Sequence, residues 1–97
     1  MKLFINQPMK DKTPEQIKKE RDLIISLFSD IEIINSYFEN NKYEDPLVCL
    51  GESIKLLAEA DIVYFCNEWE QYNGCYIEHE CAKRYGKKII YQDILMH

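Results

Sequence analysis

Short apolar runs alternate along this chain with longer stretches in which apolar residues recur every three or four positions. The runs predict four strands, at residues 2–6, 31–34, 62–66 and 88–91. The stretches between them predict three helices, over about 13–29, 47–60 and 74–85. The third run is apolar at every position, which is typical of a central parallel strand, whereas Glu32 within the second run favours an edge strand.

The order of these elements, β-α-β-α-β-α-β, predicts a single α/β domain over residues 1–97. Because strands and helices alternate, we expect a three-layer, flavodoxin-like or Rossmann-like parallel sheet of about four strands. The expected strand order is 2-1-3-4, with helices on both faces. Thr13-Pro14 at the start of the first helix and Gly86 after the third are typical helix boundaries.

The helical spacing also predicts which residues face the sheet. The expected buried positions are Ile17, Leu23, Ile24, Leu27 and Phe28 in the first helix, Leu50, Ile54, Leu57 and Ala58 in the second, and Ile77, Cys81 and Tyr85 in the third. In this register Glu78 lies about 100° around the third helix from Ile77, toward the strand ends.

Charge and composition restrict the classes of partner. The net charge is −5, which argues against binding to a nucleic acid polymer, because such binding requires a basic surface. No apolar stretch approaches the length of a membrane span, and the N-terminal one is too short for a signal peptide. The four cysteines form no C-x-x-C pair, so we expect reduced thiols and a cytoplasmic protein that does not bind membranes.

In an open parallel sheet, ligands bind beyond the carboxyl ends of the strands, so the loops after the first three strands are the candidate site. Lys10 and Lys12 in the first loop could hold a phosphate or could simply be solvated. Trp69, Tyr72 and Tyr76 could stack on a base, although aromatic residues at such a junction are as often packing residues.

Two carboxylates are candidates for chemistry. Glu78 lies near the start of the third helix, where the helix dipole favours the charged form. There it is either a nucleophile toward a sugar carbon or simply a favourable helix-start residue. Asp61 precedes the third strand and is either a second functional carboxylate or a boundary residue. Cys75 and His79 are spaced to share a metal ion, but two ligands are too few, so neither a metal nor a cofactor is predicted.

Three segments, in order, resemble the nucleoside 2-deoxyribosyltransferase-like superfamily. They are Leu3-Phe4-Ile5-Asn6-Gln7-Pro8-Met9, Ala60-Asp61-Ile62-Val63-Tyr64, and Gly74-Cys75-Tyr76-Ile77-Glu78 followed by Ala82-Lys83-Arg84-Tyr85-Gly86-Lys87-Lys88-Ile89. Together they span nearly the whole chain, and the short bacterial and phage members of the superfamily look most similar. The resemblance implies the same fold, a nucleoside or nucleotide as the ligand, and sites at the interfaces of a homodimer or larger homo-oligomer.

Carried over to this sequence, the resemblance implies that Glu78 is the nucleophile and that Asp61 holds the sugar and assists the leaving base. It also places Lys10 near a 5′-phosphate. With the loop positions, the predicted substrate-binding residues are Phe4, Asn6, Gln7, Pro8, Met9, Lys10, Trp69, Tyr72 and Gly74. The sequence departs from the family at Phe4, which is often Tyr, at Tyr72, which is Asp in the transferases, and at Glu80, which is Gly.

Two functions are therefore compatible with the sequence. One is cleavage of an N-glycosidic bond, or deoxyribosyl transfer, through Glu78 and Asp61. The other is a binding module that holds a nucleotide or a nucleotide-derived signal without turning it over, which the departures from the family favour. We also expect at least a homodimer, with the second helix and the Tyr37-Phe38 loop at the contact.

Overall fold

A computed structural model describes residues 1–8, 12–34 and 45–92 of the chain. Met9, Lys10 and the Tyr37-Phe38 loop lie outside these described residues. The strands are β1 (Lys2–Asn6), β2 (Glu32–Ile33), β3 (Ile62–Phe65) and β4 (Lys88–Tyr91). The helices are α1 (Pro14–Ile25), α2 (Pro46–Ala58) and α3 (Asn73–Arg84), with a 3-10 turn at Trp69–Gln71 before α3.

The strands form one parallel sheet in the order β2-β1-β3-β4, which confirms the predicted fold class and strand order. The two-residue β2 is an edge strand, as Glu32 indicated. In the central pair Leu3 lies opposite Ile62 and Asn6 lies opposite Phe65. The carboxyl ends of β1 and β3 therefore lie side by side at one end of the sheet, here called the carboxyl edge. The polar residues that follow the two strands can converge there.

Helices cover both faces of the sheet, and alternate strand residues point to opposite faces. One face, here the α2/α3 face, carries Phe4, Val63 and Phe65, which pack against Leu57 of α2 and Ala82 of α3. The other, the α1 face, carries Leu3, Ile5 and Tyr64, which pack against Ile24 of α1. Both faces are apolar at their centres, so buried polar residues at the carboxyl edge depart from the pattern of the core.

Local chemistry fixes the helix ends. At the start of α1 the Thr13 hydroxyl accepts a hydrogen bond from the Gln16 backbone N–H at 3.1 Å, and the Gln16 side chain accepts one from Thr13 N at 2.9 Å. This is a complete capping box. At the end of α3, Gly86 has a φ of 73°, and Lys87 N donates to Ala82 O at 2.9 Å. This αL glycine with its back-directed hydrogen bond is a Schellman-type C-cap.

The predicted buried face of α1 is partly wrong. The helix buries Ile17, Arg21 and Ile24, whereas Leu23 is 60% exposed and Leu27 is also exposed. Regular helix ends at Ile25 rather than near residue 29, because the backbone N–H groups of Leu27 and Phe28 bond three residues back instead of four. A charged residue therefore occupies a sheet-facing position that apolar residues were expected to fill.

The predicted face of α3 is partly wrong: Cys81 packs against the core of the α2/α3 face as expected, but the other two predicted residues do not. Glu78, His79 and Ala82 face the sheet, while Ile77 and Tyr85 are exposed. In α2, Leu57 is buried as expected, but Ala58 is exposed. The prediction for α3 fails because the polar side chains of Glu78 and His79 occupy inward positions, which leaves the apolar side chain of Ile77 exposed.

Two further features concern the chain as a whole. All four cysteines are free thiols. No helix in the described parts of the chain combines the length and the apolar character that crossing a membrane requires.

Candidate functional site around Glu78

The Glu78 side chain lies between three elements at the carboxyl edge of the sheet. It projects from the inward side of α3 and is 7% exposed. Asn6, the last residue of β1, donates a hydrogen bond from Nδ2 to Glu78 Oε2. Ser53 of α2 also makes a side-chain hydrogen bond to this carboxyl group. The structure thus brings together two of the predicted site residues, Asn6 and Glu78, at the edge where this fold binds ligands.

Burial controls the ionisation of Glu78. It raises the pKa of this carboxyl group to about 7, although the hydrogen bond to Ser53 acts in the opposite direction. Glu78 is the sixth residue of α3 and lies beyond the first turn, where the helix dipole is effective. The expectation that the dipole keeps Glu78 charged is therefore wrong. Near pH 7 roughly half of these carboxyl groups carry a proton.

Asp61 lies at the opposite end of the sheet, where β1 and β3 begin. It precedes β3, and its Oδ2 accepts a hydrogen bond from Lys2 N at 2.7 Å, beside the start of β1. Asn6, which bonds to Glu78, lies opposite Phe65, and Phe65 is four residues after Asp61. Asp61 is therefore about 13 Å from the carboxyl edge that holds Glu78. The predicted pairing of these carboxylates is wrong, because an Asp that enters a parallel strand lies at its amino end. Its observed role is that of a boundary residue.

The other residues of the first segment do not gather around Glu78. Phe4 is buried in the core of the α2/α3 face. Gln7 turns to the α1 face, where its Nε2 donates to Glu20 Oε1 at 3.1 Å. Pro8 is buried after it. The end of β1 therefore sends Asn6 and Gln7, two consecutive polar side chains, to opposite faces of the sheet.

Trp69 belongs to an aromatic group on the β4 side of α3. Its ring lies 4.0 Å from the His79 ring, centroid to centroid, in a stacked arrangement. His79 Nε2 is 2.6 Å from the Tyr91 hydroxyl, and Phe65 packs under the group. An open groove of about 320 Å³ is lined by Phe65, Asn67, Glu68, Trp69, Glu70, Tyr91 and Gln92. Trp69 thus contacts the neighbour of Glu78, while Asn6 and Ser53 approach Glu78 itself from the side of β1 and α2.

Tyr72 and Gly74 form the entry to α3. Tyr72 is half-buried, and its carbonyl accepts a hydrogen bond from Tyr76 N at 2.9 Å in the first turn. A Cβ atom added at Gly74 would come no nearer than 4.0 Å to the Leu50 side chain. No close contact explains the glycine, and the Tyr72 side chain makes no capping hydrogen bond to the helix.

Two polar residues on otherwise apolar helix faces were not predicted from the sequence. Ser53, the partner of Glu78, lies four residues before Leu57 on the inward side of α2. Arg21 lies between Ile17 and Ile24 on the inward side of α1. A polar side chain at a position of the apolar stripe is the signal that would have found both.

Fold and geometry together define a three-layer α/β domain with a buried carboxyl group at the carboxyl edge of its parallel sheet. A family model described as a domain of unknown function (DUF4406) matches residues 9–91, and the chain belongs to this family. No curated protein and no solved structure matches the chain.

Proposed function

We propose that this protein cleaves the N-glycosidic bond of a nucleoside or nucleotide, or transfers its deoxyribosyl group, with Glu78 as the nucleophile. The observation that supports this proposal best is the buried Glu78 carboxyl group between Asn6 and Ser53 at the carboxyl edge. Hydrogen bonds from two different elements hold the carboxyl group in one orientation, as attack on a sugar carbon requires. The resemblance to the nucleoside 2-deoxyribosyltransferase-like superfamily implies a nucleophile at the same residue.

The proposed reaction has two displacements at one carbon. The ionised Glu78 carboxylate attacks C1′ as the C1′–N bond breaks, and the electron pair leaves with the base, which takes a proton from water. Water or a second base then attacks C1′ of the glycosyl ester and releases the carboxylate. A water-poor environment strengthens the attraction between the carboxylate and the positive charge that develops on the sugar. Asp61 has no part in this scheme, since it lies at the other edge.

Base release measures the proposed activity directly. Incubation with a panel of nucleosides and nucleoside monophosphates, followed by chromatography, should detect a free base. Glu78→Gln keeps the shape of the side chain but removes the nucleophile, so the rate should fall by roughly 10³-fold or more. Glu80→Gln is the matched control, because Glu80 lies on the same helix and pairs with Arg84 at the surface, at 3.2 Å. A Glu78→Gln protein that releases base at the parental rate would show that Glu78 is not the nucleophile.

A second candidate is a module that binds a nucleotide or a nucleotide-derived signal without turnover. The separation of Asp61 from Glu78 favours it, because the site then lacks the second carboxylate of the family mechanism. Titration calorimetry with the same panel separates the two candidates. Binding without release of base, with similar affinity in the parent and in Glu78→Gln, would support the binding module.

A further inference from the structure

A second polar cluster lies at the same edge of the sheet but on the α1 face, away from Glu78. Its members come from the ends of β1 and β3 and from α1 and its approach. Here called the Arg21 cluster, it consists of Gln7, Lys12, Glu20, Arg21, Tyr64 and Cys66. Glu20 is at its centre. The carboxylate accepts hydrogen bonds from Gln7 at 3.1 Å and from Lys12 at 3.2 Å, and it also accepts one from the Cys66 thiol.

Arg21 is the member whose environment needs an explanation. Its side chain is buried, with the residue only 7% exposed, although a guanidinium group keeps its charge in proteins. Among the described residues no carboxylate lies within ion-pair distance of it: Glu20 pairs with Lys12, and Asp22 attracts the guanidinium group only from a longer distance. Its Nη1 atom is buried without a hydrogen-bond partner. Burial of a cation without an ion pair is unfavourable, so an anion bound at Arg21 would stabilise this arrangement.

Two further buried polar atoms in this cluster also lack partners. They are the hydroxyl of Tyr64, a fully buried residue of β3, and Oε1 of Gln7. Tyr64 and Arg21 both interact electrostatically with Cys66, and Tyr64 does so with Glu20, so these groups share one region. One region of the protein therefore contains a charged donor (Arg21), a neutral donor (Tyr64) and an acceptor (Gln7) that all lack hydrogen-bond partners.

We propose that Arg21 and Tyr64 bind a phosphate or the phosphoryl group of a phosphate monoester on the α1 face of the carboxyl edge. Arg21 Nη1 and the Tyr64 hydroxyl each donate to a phosphate oxygen. Gln7 Oε1 accepts a hydrogen bond from the protonated oxygen of hydrogen phosphate or from a hydroxyl of the ligand. A simple carboxylate such as acetate would satisfy only the two donors, whereas hydrogen phosphate satisfies all three atoms.

This site and the Glu78 site meet at the end of β1. Gln7 belongs to the Arg21 cluster, and Asn6, the residue before it, bonds to Glu78 on the other face. If Glu78 attacks a sugar, the phosphate at Arg21 narrows the substrate class from nucleosides to nucleotides. This narrowing rests on the proposed function, whereas phosphate binding at Arg21 does not require it.

Thermal unfolding in inorganic phosphate tests the site, with sodium chloride used to keep the ionic strength constant. The Tm of the parent should rise by roughly 5 °C once phosphate exceeds its Kd about tenfold. Arg21→Met should lose this rise and should start from an equal or higher Tm, because the variant no longer buries an unpaired charge. Lys19→Met is the matched control, since Lys19 is an exposed cation on the same helix and should leave the rise intact.

Two more variants separate the possible failures. Tyr64→Phe keeps the packing but removes one donor, so the Kd for phosphate should increase by about tenfold. Glu78→Gln should keep the full phosphate response, whether or not the protein releases base. An equal response in the parent, Arg21→Met and Tyr64→Phe, or none in the parent at tens of millimolar phosphate, would overturn the proposal. Tyr64→Phe decides the matter if Arg21→Met does not fold.

Discussion

At the scale of single residues, Glu78 makes the stability of this domain depend on pH. Burial raises the pKa of its carboxyl group from an ordinary value of 4.5 to about 7 in the folded state. The folded protein therefore binds this proton more tightly than the unfolded chain does. The resulting stabilisation is fully present below pH 4.5, declines as the pH rises toward 7, and is lost above 7. It amounts to about 3 kcal/mol.

Glu78→Gln should remove this pH dependence, because an amide does not titrate. Between about pH 5 and about pH 8, the free energy of unfolding of the parent should decrease by about 2.5 kcal/mol more than that of the variant. Urea denaturation at the two pH values measures the difference. Glu80→Gln should behave like the parent, since Glu80 pairs with Arg84 at the surface. Parallel pH profiles for the parent and Glu78→Gln would contradict the buried, protonated state of Glu78.

At the scale of elements, the capping box of α1 gives a stability prediction that is independent of function. Thr13→Ala removes the hydroxyl that accepts from Gln16 N, so the free energy of unfolding should decrease by about 1 kcal/mol. Thr13→Ser retains the hydroxyl and should lose much less. Urea denaturation of the three proteins checks the prediction. Base release should not change, since this cap lies outside the contacts of Glu78. A Thr13→Ser protein as unstable as Thr13→Ala would show that the cap is unimportant.

Element boundaries and strand order could be predicted because local chemistry marks them. Thr13-Pro14 and Gly86 set helix ends through backbone hydrogen bonds and a positive φ, and strict alternation of strands and helices sets the parallel order. The helix faces could be predicted less well, because apolar spacing assumes that every inward position is apolar. Arg21 and Glu78 violate that assumption, and both lie in candidate sites.

The candidate site shows the same division. The sequence pattern predicted Asn6 and Glu78, and the structure joins them by a hydrogen bond. Asp61 was misplaced because a motif gives positions along the chain, while its distance from Glu78 depends on strand direction. The contribution of Ser53 depends on how α2 packs beside α3, which no local pattern specifies.

At the scale of the whole molecule, we expect a homodimer that uses α2. Leu47, in the first turn of α2, is 73% exposed, and the neighbouring Val48 is exposed as well. Leu47→Glu should therefore convert the dimer to a monomer, because it places a charge in an apolar contact. Light scattering at micromolar concentration measures the change. Leu23→Glu is the control, since Leu23 is similarly exposed on α1. A parent protein that is monomeric at these concentrations would contradict the prediction.

The stack of Trp69 on His79 gives the protein a built-in optical probe. Trp69 is the only tryptophan of the chain, so the tryptophan emission comes from this one position. Its ring stacks on His79, the residue that follows Glu78 in the sequence. A protonated imidazole against the indole face is a cation–π contact and should quench that emission. Burial lowers the pKa of His79, so the fluorescence should increase with pH around a midpoint below 6.5, and His79→Gln should abolish the change. A ligand that enters beside Glu78 and displaces this stack would then be visible in unlabelled protein, in real time.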